Sequence, residues 1–359
     1  MSAHYTCGFD EPACRDAREF GGKAAGLASL TAAGLPVAPG FAVGAAAYRA
    51  FLESSGLRPV LTSALARDAT RDDIARRLAA APIPDAVATA IMQRYRRLGM
   101  ETGVADVSVA VRSSATAEDS AAASFAGEFE TWVDVAGAED VIAHVRRCWT
   151  SVFAGRAVDY ARAQGVDPAG VEMAVVVQKT VRARAAGVMF TVSPVTGDRS
   201  RIVIEASWGL GLAVVGGEVT PDRWVVDKVR LTVVERIPGD KRIEYRRGDV
   251  AVHVDPARRA QPCLTDDQVI ELARLGKRIE REQRCPQDIE FAVDRDLPAG
   301  ADLVLLQRRP ETVWSGRPQV PRFATGHGVT RWIGDAVTGG GGNTRTTAPA
   351  PGHQHEAAA

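Results

Sequence analysis

The stretch Asp288-Ile-Glu-Phe-Ala-Val reads as a β-strand with two carboxylates, Asp288 and Glu290, two positions apart. Alternation along a strand puts both on one face. Further on, Leu-Val-Leu-Leu-Gln-Arg-Arg-Pro ends a second apolar run with Gln307 and Arg309, again two apart and sharing a face. A carboxylate and an amide oxygen on neighbouring strands are suitable ligands for Mg2+, here Glu290 and Gln307. Arg309 would then stand where a phosphoryl group in transfer needs its charge neutralised. Either strand alone reads equally well as a solvated sheet face with ordinary charges.

A nucleoside triphosphate also needs cations and close backbone donors for its phosphates and a slot for its base. Lys23 follows Gly22 at what reads as a helix start, where free amides already favour an anion. Arg112 follows the apolar run 107–111 and is expected to project from a strand end beside Ser113 and Ser114. In Ser-Phe-Ala-Gly-Glu-Phe-Glu-Thr, Gly127 would let a hairpin flap approach phosphates. Gln178 closes Met-Ala-Val-Val-Val-Gln, a strand leading into a base-binding hinge. Singly, these are also a solvated lysine, a surface arginine, a turn glycine and an edge-strand glutamine. No GxxxxGK[ST] and no GxGxxG occurs, so neither a P-loop nor a dinucleotide fold is indicated.

The elements that must position these residues are legible as periodicity. A Gly-Gly turn leads into a short helix with Ala25, Leu27, Leu30 and Ala33 at helical spacing, stopped by Gly34 and Pro36 and followed by a strand near 39–43. Helices are expected at 72–80, 85–98 and 139–153, the last with Val141, Val145, Cys148, Trp149 and Val152 on one broad face. Strands are expected at 107–111, 172–178, 186–191, 201–206, 223–226, 231–234, 288–293 and 303–307. Between them, Thr265 and Gln268 make a capping box for a helix whose buried face is Val269, Leu272, Gly276 and Ile279. Without a regular βαβ repeat the class is α+β with an antiparallel sheet. Beyond Trp314 the apolar pattern fades: 317–336, with Phe323 and Trp332, reads as a linker, and the Gly/Pro/Thr/Ala run from about Gly339 as a disordered tail.

Composition narrows the partners. Lys plus Arg equals Asp plus Glu at 44 each in 359 residues, so no polyanion-binding charge is present and nucleic acid is not expected as the main partner. Cys7, Cys14, Cys148, Cys263 and Cys285 form no CxxC pair and read as reduced thiols. The acidic N-terminal stretch lacks a signal-peptide apolar core, and no run approaches the ~18 apolar residues of a membrane span. A cytoplasmic protein without a membrane partner is expected.

Six segments, taken together and in order, carry a resemblance: GGKAAGLASLTAAGLPVAPGF, VAVRSSATAEDSAAASFAGEFET, AGVMFTVSPVTGD, IEASWGLGLAVVGGEVTPDRWVVDK, CPQDIEFAV and LLQRRPETVW. Over about residues 15–314 the chain resembles the ATP-binding half of phosphoenolpyruvate synthase and its relatives, pyruvate phosphate dikinase and rifampicin phosphotransferase. The resemblance implies an ATP-grasp fold, two α+β subdomains with mixed or antiparallel sheets clasping ATP. Their boundaries are set at 1–205 and 206–315, with 316–359 as linker and tail. It implies that Lys23 and Arg112 contact phosphates, that Gly127 and Thr131 belong to the flap, and that Gln178 contacts the nucleotide near the hinge. Glu290 and Gln307 match the family's Mg2+ ligands and Arg309 its transfer arginine, which with Lys23 and Arg112 makes up the expected catalytic set. Two departures stand out: Leu212 replaces the acid of the family's GLGE, and Phe291 replaces the tryptophan of DIEW.

Full-length relatives continue into a swivelling domain whose histidine takes the phosphoryl group in a Thr-Ser-His type setting. None of His4, His144, His253, His327, His353 and His355 has that setting. The resemblance therefore implies an ATP-binding subunit of a split dikinase, of the phenylphosphate synthase type, whose partner subunit carries the phosphorylatable histidine and the acceptor site. In the family reaction AMP leaves, a pyrophosphoryl-histidine forms and loses phosphate, and the phosphohistidine serves the acceptor. A free-standing ATP-grasp kinase or ligase releasing ADP, and an ATP-sensing module without turnover, are the alternative readings.

Overall fold

The computed structural model describes residues 4–56, 71–116, 131–153, 171–248 and 250–314. Gly127, the remainder of the expected flap before Thr131, and the expected linker and tail lie outside these residues. Among the described residues no helix is long and apolar enough to cross a membrane.

A first sheet has the strand order β1-β2-β5-β3-β4, formed by β1 (Thr6–Gly8), β2 (Gly40–Val43), β3 (Val109–Ala115), β4 (Thr131–Val135) and β5 (Met173–Lys179), all paired antiparallel. The central strand β5 is apolar almost throughout because both its faces are covered. On one face, Val109, Val111, Val175 and Val177 pack against α2 (Ala45–Ser54), α4 (Asp85–Thr102) and α5 (Ala138–Ser151), with α3 (Arg71–Ala80) adding Leu78 to the same core. Trp149 of α5 stacks on Phe51 of α2 at 5.1 Å between ring centroids. On the other face lies α1 (Ala17–Ala32), whose Ala24, Leu27 and Ala28 meet Ala42 and Val176.

A second antiparallel sheet has the order β13-β12-β6-β7-β8-β9. Its strands are β6 (Ala183–Phe190), β7 (Arg201–Trp208), β8 (Asp222–Asp227), β9 (Thr232–Ile237), β12 (Gln287–Asp294) and β13 (Leu303–Pro310). Strand β7 spans position 205, where the resemblance sets a subdomain boundary. The α+β class with antiparallel sheets is as expected. Helix α8 (Asp266–Gln283) covers one face of this sheet, packing Val269, Leu272, Ala273 and Ile279 against Met189, Ile204, Ile289 and Phe291. Its Thr265–Gln268 capping box forms as read from sequence. Gly276 has a packing reason: a Cβ there would stand 2.8 Å from Met189 Sδ. Two short helices, α6 (Leu212–Val215) and α7 (Pro256–Arg259), a 3-10 turn at Pro12–Arg15 and a separate hairpin of β10 (Ile243–Arg246) and β11 (Val250–His253) complete the described elements.

Helix α1 joins the two sheets. Leu30 and Leu35 belong to the core of the second sheet, and Leu305 N–H of β13 donates to Pro36 O at 2.7 Å just past the helix. At its other end the expected Gly-Gly turn is a kink inside the helix: Gly21 has φ 76°, and a Cβ there would lie 2.1 Å from Ser114 Oγ and 2.4 Å from Ser114 O. One helical turn, capped by Asp16 accepting from Arg18 N–H, precedes that kink and was not expected. Helix α2 was likewise missed, because its N-cap is Gly44, which offers no side-chain cap to read. We expect Gly21→Ala to lower unfolding free energy by at least about 1–3 kcal/mol, from a positive-φ, extended-ψ backbone that essentially only glycine adopts, with more from the Ser114 clash. Urea unfolding followed by circular dichroism measures it.

Candidate functional site: a cation cluster between the sheets

Period-two alternation aims one face of each sheet at the groove between them. On the first sheet, Arg112, Val176 and Ala42 share that face with Ser114, Gln178 and Ala110. On the second, Gln307, Glu290, Val188, Glu205 and Arg223 lie side by side across five strands, on the face away from α8. Directly beside them, Arg309 is opposite Asp288.

Arg112 closes the groove. Its Nη2 donates to Glu290 Oε2 at 2.9 Å and to Gln307 Oε1 at 2.6 Å, while Nη1 donates to Leu306 O at 3.2 Å. Leu306 O is available because the β12–β13 register shifts between Glu290 and Phe291, leaving Leu306 without a partner residue across the ladder. The Arg112 side chain retains 14% exposure and Glu290 30%, so this pair is worth more than a surface bridge and is still open to solvent on the carboxylate side. Arg112 Nε is buried and has no hydrogen-bond partner.

Next to the cluster, Arg309 Nε stands 3.4 Å from Asp288 Oδ2. Burial pushes the Asp288 carboxyl above its ordinary range, Arg309 opposing this and Glu311 adding to it, and Asp288 Oδ1 is buried without a partner. Sequence alternation assigned Asp288 to this face but gave it no role.

The other expected site residues surround this contact. Lys23 is half-buried on α1, its backbone N–H donating to Ser114 Oγ at 3.2 Å, two residues along β3 from Arg112 and on the same face. Thr131, exposed at the start of β4, is directly opposite Arg112. Gln178 is buried between Gly40 and Ala110 and donates from Nε2 to Ala38 O at 3.2 Å. Arg112 contacts both Glu290 and Gln307, which face each other across the ladder, and the Arg309–Asp288 pair lies two residues along the same two strands.

The chain between the sheets, Lys179 to Arg184, floors a cavity of about 870 Å³ that the sequence did not reveal. Val107, Ser108, Asp134, Trp208, Leu210 and Tyr245 also line it, and Arg112, Glu290 and Gln307 do not. Its mouth is latched by Asp134. Asp134 Oδ1 accepts from Ser108 Oγ at 2.8 Å and Arg247 Nε at 2.9 Å, and Oδ2 accepts from Gly248 N–H at 2.5 Å. Asp134 has φ 58°, a left-handed conformation held by these bonds. Nothing in Trp-Val-Asp-Val marks this residue as special, since the strain depends on a hairpin more than a hundred positions away.

Residues 17–325 match the family described as pyruvate phosphate dikinase, AMP/ATP-binding domain. The chain belongs to this family. It is 42% identical over 320 residues to a protein named probable phosphoenolpyruvate synthase from Methanothermobacter thermautotrophicus, covering 86% of this chain and 46% of that one. A protein of the same name from Staphylothermus marinus is 41% identical over 345 residues, with 86% and 41% covered. Phosphoenolpyruvate synthase from Aeropyrum pernix is 40% identical over 337 residues, with 83% and 41% covered. The chain thus spans less than half the length of these relatives. The family's AMP/ATP-binding domain is the two-sheet body described above, and its groove is the candidate nucleotide site.

Asp134→Ala removes three hydrogen bonds to a carboxylate and keeps the unfavourable φ. We expect a loss of about 2–3 kcal/mol in urea unfolding. Faster limited proteolysis between Ile243 and His253 should accompany it, and unchanged cleavage there would show that Asp134 does not hold the hairpin.

Proposed function

We propose that this chain binds Mg2+-ATP between its two sheets and transfers a phosphoryl group from it to a histidine on a partner protein, as the ATP-binding part of a phosphoenolpyruvate-synthase-like dikinase. The observation that carries this reading is the convergence of Glu290 Oε2 and Gln307 Oε1 on one cation, the Arg112 Nη2. Two hard oxygens held 2.9 and 2.6 Å from one positive group fit a divalent metal that keeps waters and takes the rest of its shell from phosphates. Such a metal would neutralise charge on the triphosphate; Lys23 and Arg112 would hold the phosphates, and Thr131 and Gly127 would close over them.

Arg309 is held beside the cluster by Asp288, which directs the guanidinium without consuming it, since Arg309 remains 46% exposed. The base would lie toward the cavity at Lys179–Val181, near Gln178. The site residues supply charge and position and no nucleophile, so an acceptor must enter. Of the described histidines, His4 is exposed just before β1, His144 bonds Asp140 O and lies on α5, on the far face of the first sheet, and His253 pairs with Ile243 in the β10–β11 hairpin. These placements favour an acceptor histidine that lies outside the described residues.

The test is the nucleotide product. Incubating the chain with ATP labelled at the β-phosphate, Mg2+ and a separately expressed histidine domain of this family should yield AMP, free phosphate and a labelled domain, because the pyrophosphoryl group passes to the histidine and its outer phosphate is then lost to water. ADP formed with a small-molecule acceptor would favour a free-standing kinase or ligase, and tight ATP binding without any transfer a sensing module. Glu290→Ala should cut Mg2+-dependent transfer by about 10²–10³-fold, the scale of losing one electrostatic stabiliser, with the circular dichroism spectrum preserved. Arg309→Ala should lower transfer much more than ATP affinity; equal losses would reduce Arg309 to a ground-state phosphate contact.

A further inference from the structure

The cation between Glu290 and Gln307 belongs to the protein itself, and that has a consequence for the order in which ligands enter. We infer that Arg112 is a resident counter-cation: it holds the metal position closed until nucleotide phosphates draw its guanidinium away, so a divalent metal enters with nucleotide and not before it. This rests on the assignment of Glu290 and Gln307 as metal ligands.

Three features support it. Arg112 Nη2 contacts both side-chain oxygens, at 2.9 Å and 2.6 Å, so a metal coordinated by the same two atoms and the guanidinium exclude each other, sterically and by like charge. Without a cation there, a carboxylate and a nearly buried amide oxygen would face the groove uncompensated, which gives the arginine a reason to occupy it. The third feature is the orphaned Nε. Arg112 satisfies its acceptors through Nη1 and Nη2 alone, while Nε is buried and unpartnered. A phosphate takes an arginine through two parallel N–H donors, so turning to phosphate would give Nε the partner it lacks. Release would also part β3 from β12 and β13, because Arg112 reaches from the first sheet to the second. Nucleotide and metal would then bind with positive coupling, each raising the affinity of the other by the same factor.

The experiment uses the full chain and Mn2+ as the probe, read as loss of the free-ion signal in electron paramagnetic resonance beyond that of a protein-free sample of the same composition, with and without a non-hydrolysable ATP analogue. Wild type is expected to bind Mn2+ strongly only with the analogue. Arg112→Gln, with its spectrum unchanged, should bind Mn2+ without nucleotide about tenfold or more tightly than wild type, a normal size for coupling between sites. Arg112→Lys, which keeps the charge, should stay near wild type; a gain equal to that of the glutamine variant would mean general loosening and overturn the inference. Equal nucleotide-free affinity in wild type and Arg112→Gln would also overturn it. The companion variant Glu290→Gln separates the two levels. If it loses analogue-dependent Mn2+ binding, the metal ligands stand and only the counter-cation inference is at risk; if it binds Mn2+ as wild type does, both fall.

Discussion

The guanidinium of Arg112 meets Glu290 and Gln307 across 178 and 195 residues of sequence, and most of the described architecture is what makes that meeting possible. A guanidinium with 14% of its side chain exposed is stable only against acceptors, because the cost of desolvating an unpaired ion amounts to several kcal/mol. The second sheet supplies three: a carboxylate, an amide oxygen and a main-chain carbonyl. The carbonyl comes from an irregularity. With uninterrupted β12–β13 register Leu306 would face a partner residue; the shift after Glu290 frees it for Arg112.

Holding that contact requires two sheets of independent core to keep a fixed separation. Helix α1 spans them, with Ala24 and Leu27 in one core and Leu30 in the other. Its kink at Gly21 lets it descend onto Ser114, which brings Lys23 to the same face of β3 as Arg112. On the opposite side of the groove, Asp134 ties β4 to the β10–β11 hairpin and bounds the hinge cavity. The helix sets how close the sheets stand, and the latch governs how far the cavity mouth can open.

Local signals carried much of this. Apolar runs, the Thr265 capping box and the Gly-Gly break were readable because each depends on residues a few positions apart. The period-two placement of Asp288 with Glu290, and of Gln307 with Arg309, was readable for the same reason, and the register confirms which of them are neighbours. What sequence could not provide was the pairing of strands distant in the chain. Sequence put Arg112 at a strand end, whereas it lies in the middle of β3 because the strand continues through Ser113 and Ser114 to Ala115, and it could not be matched to Glu290; Asp134 could not be singled out at all, since its conformation is set by Arg247 and Gly248. Helix α2 lacked a capping side chain, and β10 and β11 were too short for a period to register.

The chemistry on the groove face also constrains what must come from outside it. Glu290, Gln307, Arg112 and Arg309 are acceptors and donors of charge, and the carboxylates here, Glu290 and Asp288, are engaged with Arg112 and Arg309, so none is free to act as a nucleophile on phosphorus. Glu290 keeps 30% of its side chain exposed and Arg309 46%, whereas Gln307 is buried. The solvent-open side of the cluster is therefore the side of Glu290 and Arg309, and an entering acceptor would have to approach over those two residues. On the proposed reading, the same side chains that stabilise the transferring group also border the acceptor's path. A histidine arriving there would meet the phosphoryl group with Arg309 beside it, while the nucleotide is held from behind by Lys23 and Arg112. That division of roles explains why Arg309 is tethered by Asp288 from its own sheet and not locked into the cross-sheet contact: a group that follows charge as it develops must be oriented, yet able to move toward the phosphorus.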